Sequence, residues 1–176
     1  RAGGAEGTLY DITGVYAALA RSVNQSAAAP VTSAHASLDA GAGYLTLQGL
    51  WLGPWLYDVA GHPRAAVGGY LLVTALSYTV GSVFFGTTSE RLERAGVSKL
   101  TVLKLGLGVS VVMFALLAAG VRTGLGAILA VYGFCTISAA LAYSLLTPLF
   151  PPAMTGRVNT AWNVLMFGCS FAFQWG

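Results

Sequence analysis

Residues 86–99 read GTTSERLERAGVSK and separate two long apolar runs, residues 65–85 and 100–121. The stretch carries both of the glutamates that lie beyond the first ten residues and three of the nine basic side chains. We expect it to form a loop in water. Each flanking run has about the 20 residues that a helix needs to cross a hydrocarbon core. The pattern therefore predicts two transmembrane helices joined by a polar loop.

Composition places the chain among integral membrane proteins. Hydrophobic residues make up 56% of it, charged residues only 9%, and the mean hydropathy is +0.70. A soluble domain carries about 25% charged residues, so this chain could not cover a water-facing surface. The net charge of +3 comes from groups scattered among loops. That distribution indicates membrane topology and no nucleic-acid partner.

The apolar runs predict an all-α fold, a polytopic membrane helix bundle of about five transmembrane helices. Residues 1–26 are a predicted cytoplasmic lead-in, for which a short amphipathic helix and an unstructured segment both stay open. Residues 27–176 form an incomplete transmembrane bundle. We expect a fragment, because the chain opens at Arg1 and stops at Gly176 inside an apolar run. The predicted spans are residues 40–57, or 27–57 in a longer alternative, 65–85, 100–121, 125–150 and 158–176.

Basic residues give the orientation of these spans. Positively charged side chains favour the cytoplasmic side of a membrane protein. The loops at one face of the predicted bundle carry seven of them, and the other face carries two. Loop 86–99 is therefore predicted to be cytoplasmic, in a multi-pass protein of the inner (plasma) membrane. The larger group is Arg1, Arg21, Arg91, Arg94, Lys99, Lys104 and Arg157, and the smaller is Arg64 and Arg122.

Polar side chains recur at helical spacing on four of the five spans. Because backbone groups are satisfied within each helix, side chains decide what faces lipid and what faces protein or water. For the serines and threonines in these stripes, the favoured explanation is that their hydroxyls form hydrogen bonds that join helices. For asparagine and glutamine, hydrogen bonds between helices and a substrate cavity are about equally favoured explanations, since burying a carboxamide in hydrocarbon is costly. The third span has only Ser110 at its centre, so we expect it to lie at the periphery. The candidate cavity residues are Gln48, Tyr78, Thr136, Tyr143, Asn159 and Asn163.

His35 and Asp39 lie one helical turn apart and would share a helix face. If the first span begins near residue 27, they lie inside the membrane and form a candidate proton relay. If it begins at residue 40, they are solvated at the interface, and this is the favoured alternative. Cys135 and Cys169 lie in apolar runs without the spacing of a metal or redox motif. We expect no metal site and no cofactor.

The polar stretch resembles a signature of the major facilitator superfamily. In that family a Gly-x-x-x-Asp-Arg-x-x-Arg/Gly-Arg/Lys pattern follows the second helix of each half. Here Gly86, Arg91 and Arg94 match it, and Glu90 stands where aspartate is usual. Residues 48–61 resemble the end of the family's seventh helix, and residues 150–161 resemble the approach to its eleventh. The likeness covers about residues 27–176 and identifies the spans as helices seven to eleven of the carboxy-terminal half.

The resemblance implies a function and a partner. Family members are secondary active transporters that move a small solute by alternating access between two six-helix halves. The missing amino-terminal half, the bilayer and a small-molecule substrate would be the partners. Gly86, Glu90, Arg91 and Arg94 would form a conformational latch, with their solvation in a loop as the alternative. A non-transporting membrane scaffold or accessory subunit is the second hypothesis. An enzyme is not expected, because no catalytic or metal-ligand spacing is present.

Overall fold

The computed structural model describes the backbone of residues 28–175 and the side chains of residues 35–148 and 150–175. The lead-in predicted for residues 1–26 lies outside the described residues. The described part is helical, with no strand between residues 28 and 175. Its α-helices are α1 (Ala28–Thr46), α2 (Arg64–Arg94), α3 (Lys99–Ala118), α4 (Leu125–Thr136), α5 (Leu141–Leu146) and α6 (Thr155–Trp175).

Three of these helical segments are long and apolar enough to cross a membrane. They are Arg64–Arg94, Lys99–Ala118 and the continuous run Leu125–Leu146, which joins α4 to α5. A helical membrane bundle is therefore supported by three spans, whereas the sequence predicts about five. The helices at either end of the described chain, α1 and α6, are not among the three.

The first helix continues past Thr46 with an unusual winding. Two π-helical turns, Leu47–Trp51 and Trp55–Val59, flank the short α-helical piece Leu52–Pro54. The amide of Leu52 donates to the carbonyl of Leu47, five residues back, and the wider turn lies just before Pro54. Proline lacks an amide donor, and its ring clashes with the carbonyl four residues earlier. The wider turn accommodates the proline, and the helix continues past it to Val59.

The prediction that residues 86–99 form a loop is wrong for most of the stretch. Helix α2 continues through Gly86 to Arg94, and the turn is confined to the next four residues. Glutamate, arginine and leucine after Gly86 are good helix formers, so leaving the apolar region does not end the helix. It ends where Gly96 takes a φ of 88°. The amides of Gly96 and Val97 then donate to the carbonyls of Glu93 and Leu92, which is a Schellman cap.

Glycines set the closest helix contacts of the bundle. A Cβ on Gly133 of α4 would stand 2.5 Å from the carbonyl oxygen of Thr74 on α2. A Cβ on Gly81 of α2 would stand 2.5 Å from the carbonyl oxygen of Phe134. Helices α2 and α4 therefore meet backbone to backbone, as small residues allow in membrane proteins. Gly106 of α3 is also a close contact, because a Cβ there would meet the side chain of Ser138.

Within the described part, the burial of α3 lies between that of α2 and that of the segment Leu125–Leu146, so the peripheral position expected for the third span stays a prediction. In the most apolar window of α3, 33% of the residues are buried, against 11% for α2. Helix α3 buries Leu103, Gly106 and Leu107 and leaves Leu105 and Val111 exposed. Leucine and glycine thus bury one face of α3.

Candidate functional site

Four tyrosines from four helices form one cluster. Tyr44 of α1 stacks on Tyr78 of α2, with ring centroids 4.4 Å apart and an angle of 13° between the planes. Tyr132 of α4 lies tilted against Tyr44 at 5.9 Å. Tyr143 of α5 lies near Tyr78. We call Tyr44, Tyr78, Tyr132 and Tyr143 the tyrosine cluster.

Helix α6 joins the tyrosine cluster through Tyr143. The hydroxyl of Tyr143 donates a hydrogen bond to Oδ1 of Asn163, and its ring meets Trp162 edge to face at 6.1 Å. Asn163 is exposed and Trp162 is buried. Asn159 lies one helical turn before Asn163 and is half-buried. Two of the predicted cavity residues, Tyr143 and Asn163, are thus in direct contact, and Tyr78 is close to them.

Gln48 occupies the first π-helical turn, one turn beyond Tyr44. Its Nε2 donates to the carbonyl of Leu71 on α2 at 3.0 Å. Its Oε1 is buried and has no hydrogen-bond partner among the described residues. An acceptor removed from water without a partner costs about 1–3 kcal/mol. The Gln48 side chain is therefore fixed at one end and holds an unused acceptor at the other.

Thr136 is buried next to Tyr132 and is not exposed at the surface of the tyrosine cluster. Its side chain is 1% exposed, and its hydroxyl donates to the carbonyl of Tyr132 in the same helix. The segment Ile137–Ala140 between Thr136 and Tyr143 is a 3₁₀-helix. A 3₁₀ turn holds 3.0 residues against 3.6, so four residues turn the following helix about 80° further. Thr136 and Tyr143 are therefore about 60° apart around the helix, against about 20° in a continuous α-helix.

Hydroxyl groups elsewhere in the bundle either join two helices or bond the backbone of their own helical segment. Thr46 of α1 bonds Ser170 of α6 twice, through the carbonyl at 3.0 Å and the hydroxyl at 2.9 Å. Both side chains are buried. Thr74 and Thr147 donate to carbonyls four residues earlier in their own chain. These hydroxyls are satisfied inside the protein.

Replacing Thr46 by valine is expected to lower the free energy of unfolding in detergent by about 1 kcal/mol, the scale of an interhelical hydrogen bond in a membrane protein. Thr46→Val keeps the shape of the side chain and removes its donor. Thr79→Val is the matched control, because the Thr79 hydroxyl is exposed and bonds only its own helix. A double-mutant cycle with Ser170→Ala measures the coupling. Additive effects of the two substitutions would contradict the interpretation.

The residues of the predicted latch lie on the last turns of α2. Gly86, Glu90, Arg91 and Arg94 are all exposed. Arg94 donates to the backbone carbonyl of Glu90 at 3.3 Å, within the helix. Lys99 instead pairs with Glu93, with Nζ 2.9 Å from Oε2. The latch charges are therefore directed outward from the described bundle, on a helix and not in a loop.

His35 and Asp39 lie on α1 and are both exposed. The helix begins at Ala28 within the described residues, and where a membrane span would begin along it stays a prediction. Its position relative to a membrane, and with it the proton relay, stays a prediction. Among the described residues, no group of three or more histidine, cysteine, aspartate or glutamate side chains could hold a metal ion.

Tyr44, Tyr132 and Trp162 are the site residues absent from the predicted set. Tyr44 precedes Gln48 by four residues, so the helical spacing that singles out Gln48 also places Tyr44 on its face. Tyr132 has the same relation to Thr136. Tyrosine carries a polar hydroxyl on an apolar ring, so within an apolar run the sequence pattern does not distinguish it from the hydrophobic residues. The stacking partner on another helix is what distinguishes it.

No protein-family model, curated protein or solved structure matches the chain.

Proposed function

We propose that the chain is part of a secondary active transporter of the major facilitator type and forms one wall of its solute path. The observation that carries the proposal is the tyrosine cluster with Gln48 and Asn163, an uncharged polar set contributed by α1, α2, α4, α5 and α6. Polar groups at the convergence of several apolar helices mark solute sites in transporters. Asn163 is exposed, which leaves that side of the set open to a solute and to a second half.

Alternating access makes a prediction that needs no knowledge of the solute. In the complete protein with Cys135 and Cys169 replaced by serine, Asn163→Cys should react with a membrane-impermeant thiol reagent from either side. The reaction is followed in intact cells and in inverted membrane vesicles. Both faces reach the same residue, because the path opens to one side and then to the other.

Two control positions make this labelling experiment decisive. Val111→Cys on α3 is exposed in the described bundle and would face lipid, so it should stay unlabelled from both sides. Val97→Cys lies in the short turn after α2 and should react only in inverted vesicles, since that turn is proposed to be cytoplasmic. Labelling of Asn163→Cys from a single side would contradict alternating access. Labelling of Val97→Cys in intact cells would contradict the orientation.

A membrane scaffold is the second candidate, and one observation favours it. Gly49, Gly53 and Gly168 have open space where a Cβ would stand, so these small-residue positions meet no described helix. Small residues spaced four apart allow close approach of another helix. A scaffold predicts that Gly168→Leu abolishes association with a partner while Asn163→Cys stays unlabelled from both sides. The transporter predicts the reverse for Asn163.

A further inference from the structure

We propose that a cleft between the end of the first helix and the start of α2 binds the headgroup of a phospholipid that carries a primary ammonium group, namely phosphatidylethanolamine. The cleft has a volume of about 340 Å³ and opens to the surface. It lies at the opposite end of α2 from the predicted latch, and the proposal does not depend on transport. The lining residues are Gly53, Pro54, Tyr57, Asp58, Arg64 and Val67.

The cleft lies where a membrane span would begin. Helix α2 starts at Arg64 and is long and apolar enough to cross a membrane. Trp51 and Tyr57, at the end of the first helix, are 53% and 42% exposed. Tryptophan and tyrosine are enriched at the level of the lipid headgroups. If α2 spans the membrane, a ligand in this cleft is therefore at headgroup depth.

Arg64 supplies a group for the lipid phosphate. Its Cζ lies 4.7 Å from the centroid of the Tyr57 ring. Arginine stacks on aromatic rings and also binds phosphate through two parallel hydrogen bonds. Arg64 is exposed, so its N–H donors are accessible from the membrane surface. Tyr57 then acts as a positioning residue for the arginine.

Asp58 adds the opposite charge to the same cleft. Among the described residues it forms no ion pair with Arg64 or with any other basic side chain. An ethanolamine headgroup carries a phosphate and a primary ammonium two carbons apart. Such an ammonium has three N–H donors, as lysine has, and pairs with a carboxylate. One acidic and one basic side chain in a single cleft therefore complement this zwitterionic headgroup.

The same two charges disfavour other common headgroups. Phosphatidylglycerol has a phosphate and no ammonium, so it would bring a negative charge near Asp58 without a partner for the carboxylate. The quaternary ammonium of phosphatidylcholine has no N–H donor and is recognised by open aromatic faces. Arg64 already covers one face of the Tyr57 ring.

Helix α2 also offers a path for an acyl chain next to the cleft. Gly68, Leu72 and Ala75 follow Arg64 on the same helix face, and all are exposed. A Cβ at Gly68 would meet nothing within 4 Å. The small residues leave a shallow apolar groove on the helix surface. A lipid can thus place its headgroup in the cleft and a chain along α2.

Protection of a thiol in the cleft tests the proposal in the complete protein. Cys135 and Cys169 are replaced by serine and Gly53 by cysteine, which fits because a Cβ there meets nothing within 4 Å. The protein is purified in dodecyl maltoside, freed of lipid and alkylated with N-ethylmaleimide after addition of one phospholipid. Phosphatidylethanolamine should slow the alkylation about fivefold more than phosphatidylcholine or phosphatidylglycerol, the upper end of what an exposed ion pair gives. Val97→Cys, at the other end of α2, should react equally with all three.

Substitutions at the two charges separate their roles. Asp58→Asn should make phosphatidylethanolamine and phosphatidylglycerol protect equally. Arg64→Gln should raise the half-protecting concentration of both about tenfold, as loss of a charge-assisted hydrogen bond does. Tyr57→Leu should weaken protection because it releases Arg64, whereas Tyr57→Phe keeps the ring and should not. Arg91→Gln, on the same helix outside the cleft, is the matched control and should change nothing. All four side chains are exposed, so the fold should tolerate these changes.

Several outcomes would overturn the assignment. Equal protection by the three lipids, or stronger protection by phosphatidylglycerol, would exclude recognition of the ammonium group. An unchanged lipid preference in Asp58→Asn would do the same. Soluble phosphoethanolamine lacks acyl chains and should protect only weakly, so protection equal to that of the lipid would indicate a soluble ligand instead. An unreactive Gly53→Cys in the lipid-free protein would mean that another part of the protein covers the cleft.

Discussion

Gly133→Ala is expected to lower the free energy of unfolding in detergent by about 3 kcal/mol, the upper part of the range for overpacking a tight contact. The added Cβ would stand 2.5 Å from the carbonyl oxygen of Thr74 and 3.3 Å from its Cγ2. The first of these atoms is backbone, so it can retreat only if α2 and α4 move apart. The helix propensity of alanine, about 1 kcal/mol better than glycine, offsets only part of the loss. Denaturation by increasing the mole fraction of sodium dodecyl sulfate measures the effect.

Gly126→Ala is the matched control for Gly133→Ala because it makes the same change on the same helix. Its Cβ would meet Cε1 of Tyr70 at 3.7 Å, an ordinary contact. We expect no loss of stability there, and a small gain from helix propensity. Equal stability of Gly133→Ala and Gly126→Ala would show that α2 and α4 are not packed backbone to backbone.

Gly106→Ala is expected to lower the free energy of unfolding by a similar amount, about 2–3 kcal/mol. It disturbs the contact between α3 and the 3₁₀ segment Ile137–Ala140. Its Cβ would stand 2.5 Å from Cβ of Ser138, and the Ser138 hydroxyl oxygen is closer still. Ser138 is completely buried, and its hydroxyl has no partner among the described residues. The Cβ of Ser138 moves only with its backbone, so one of the two segments must shift.

A second substitution should reverse the effect of the first. Ser138→Gly removes both of the atoms that the new Cβ would meet, so the double variant is expected to recover most of the lost stability. Gly108→Ala on the same helix has nothing within 4 Å of the added Cβ and serves as the control. Unfolding in detergent is again the measurement. A double variant no more stable than Gly106→Ala would mean that the contact with Ser138 is not the cause.

The helices of the bundle could be predicted from the sequence because hydropathy and length are local properties. The apolar runs at 65–85, 100–121 and 125–150 each correspond to a long helical segment. The end of α2 could not be placed by hydropathy, since residues 86–94 are polar and still good helix formers. The signal that does end it is Gly96, whose positive φ closes the cap.

The site was only partly predictable because a helical wheel assumes one constant winding. Tyr143 and Asn163 do meet, as two polar positions on different helices. Thr136 is rotated away from Tyr143 because the 3₁₀ segment between them changes the helical phase. The π-helical turns around Pro54 make a change of the opposite sign near Gln48. Tyr44 and Tyr132 are recognised only by their partners across helices, which no local pattern contains.

The length of helix α2 determines how far its Arg94 end would move if the helix tilted. Its 31 residues span about 46 Å at the rise of an α-helix, whereas a hydrocarbon core is about 30 Å thick. If the surplus turns lie at the Arg94 end, they form a rigid extension of the membrane-spanning part of the helix. If the helix pivots by about 10° at its Arg64 end, the tip sweeps about 8 Å. A small reorientation within the membrane would thus become a large displacement of the four charged side chains at the tip, Glu90, Arg91, Glu93 and Arg94.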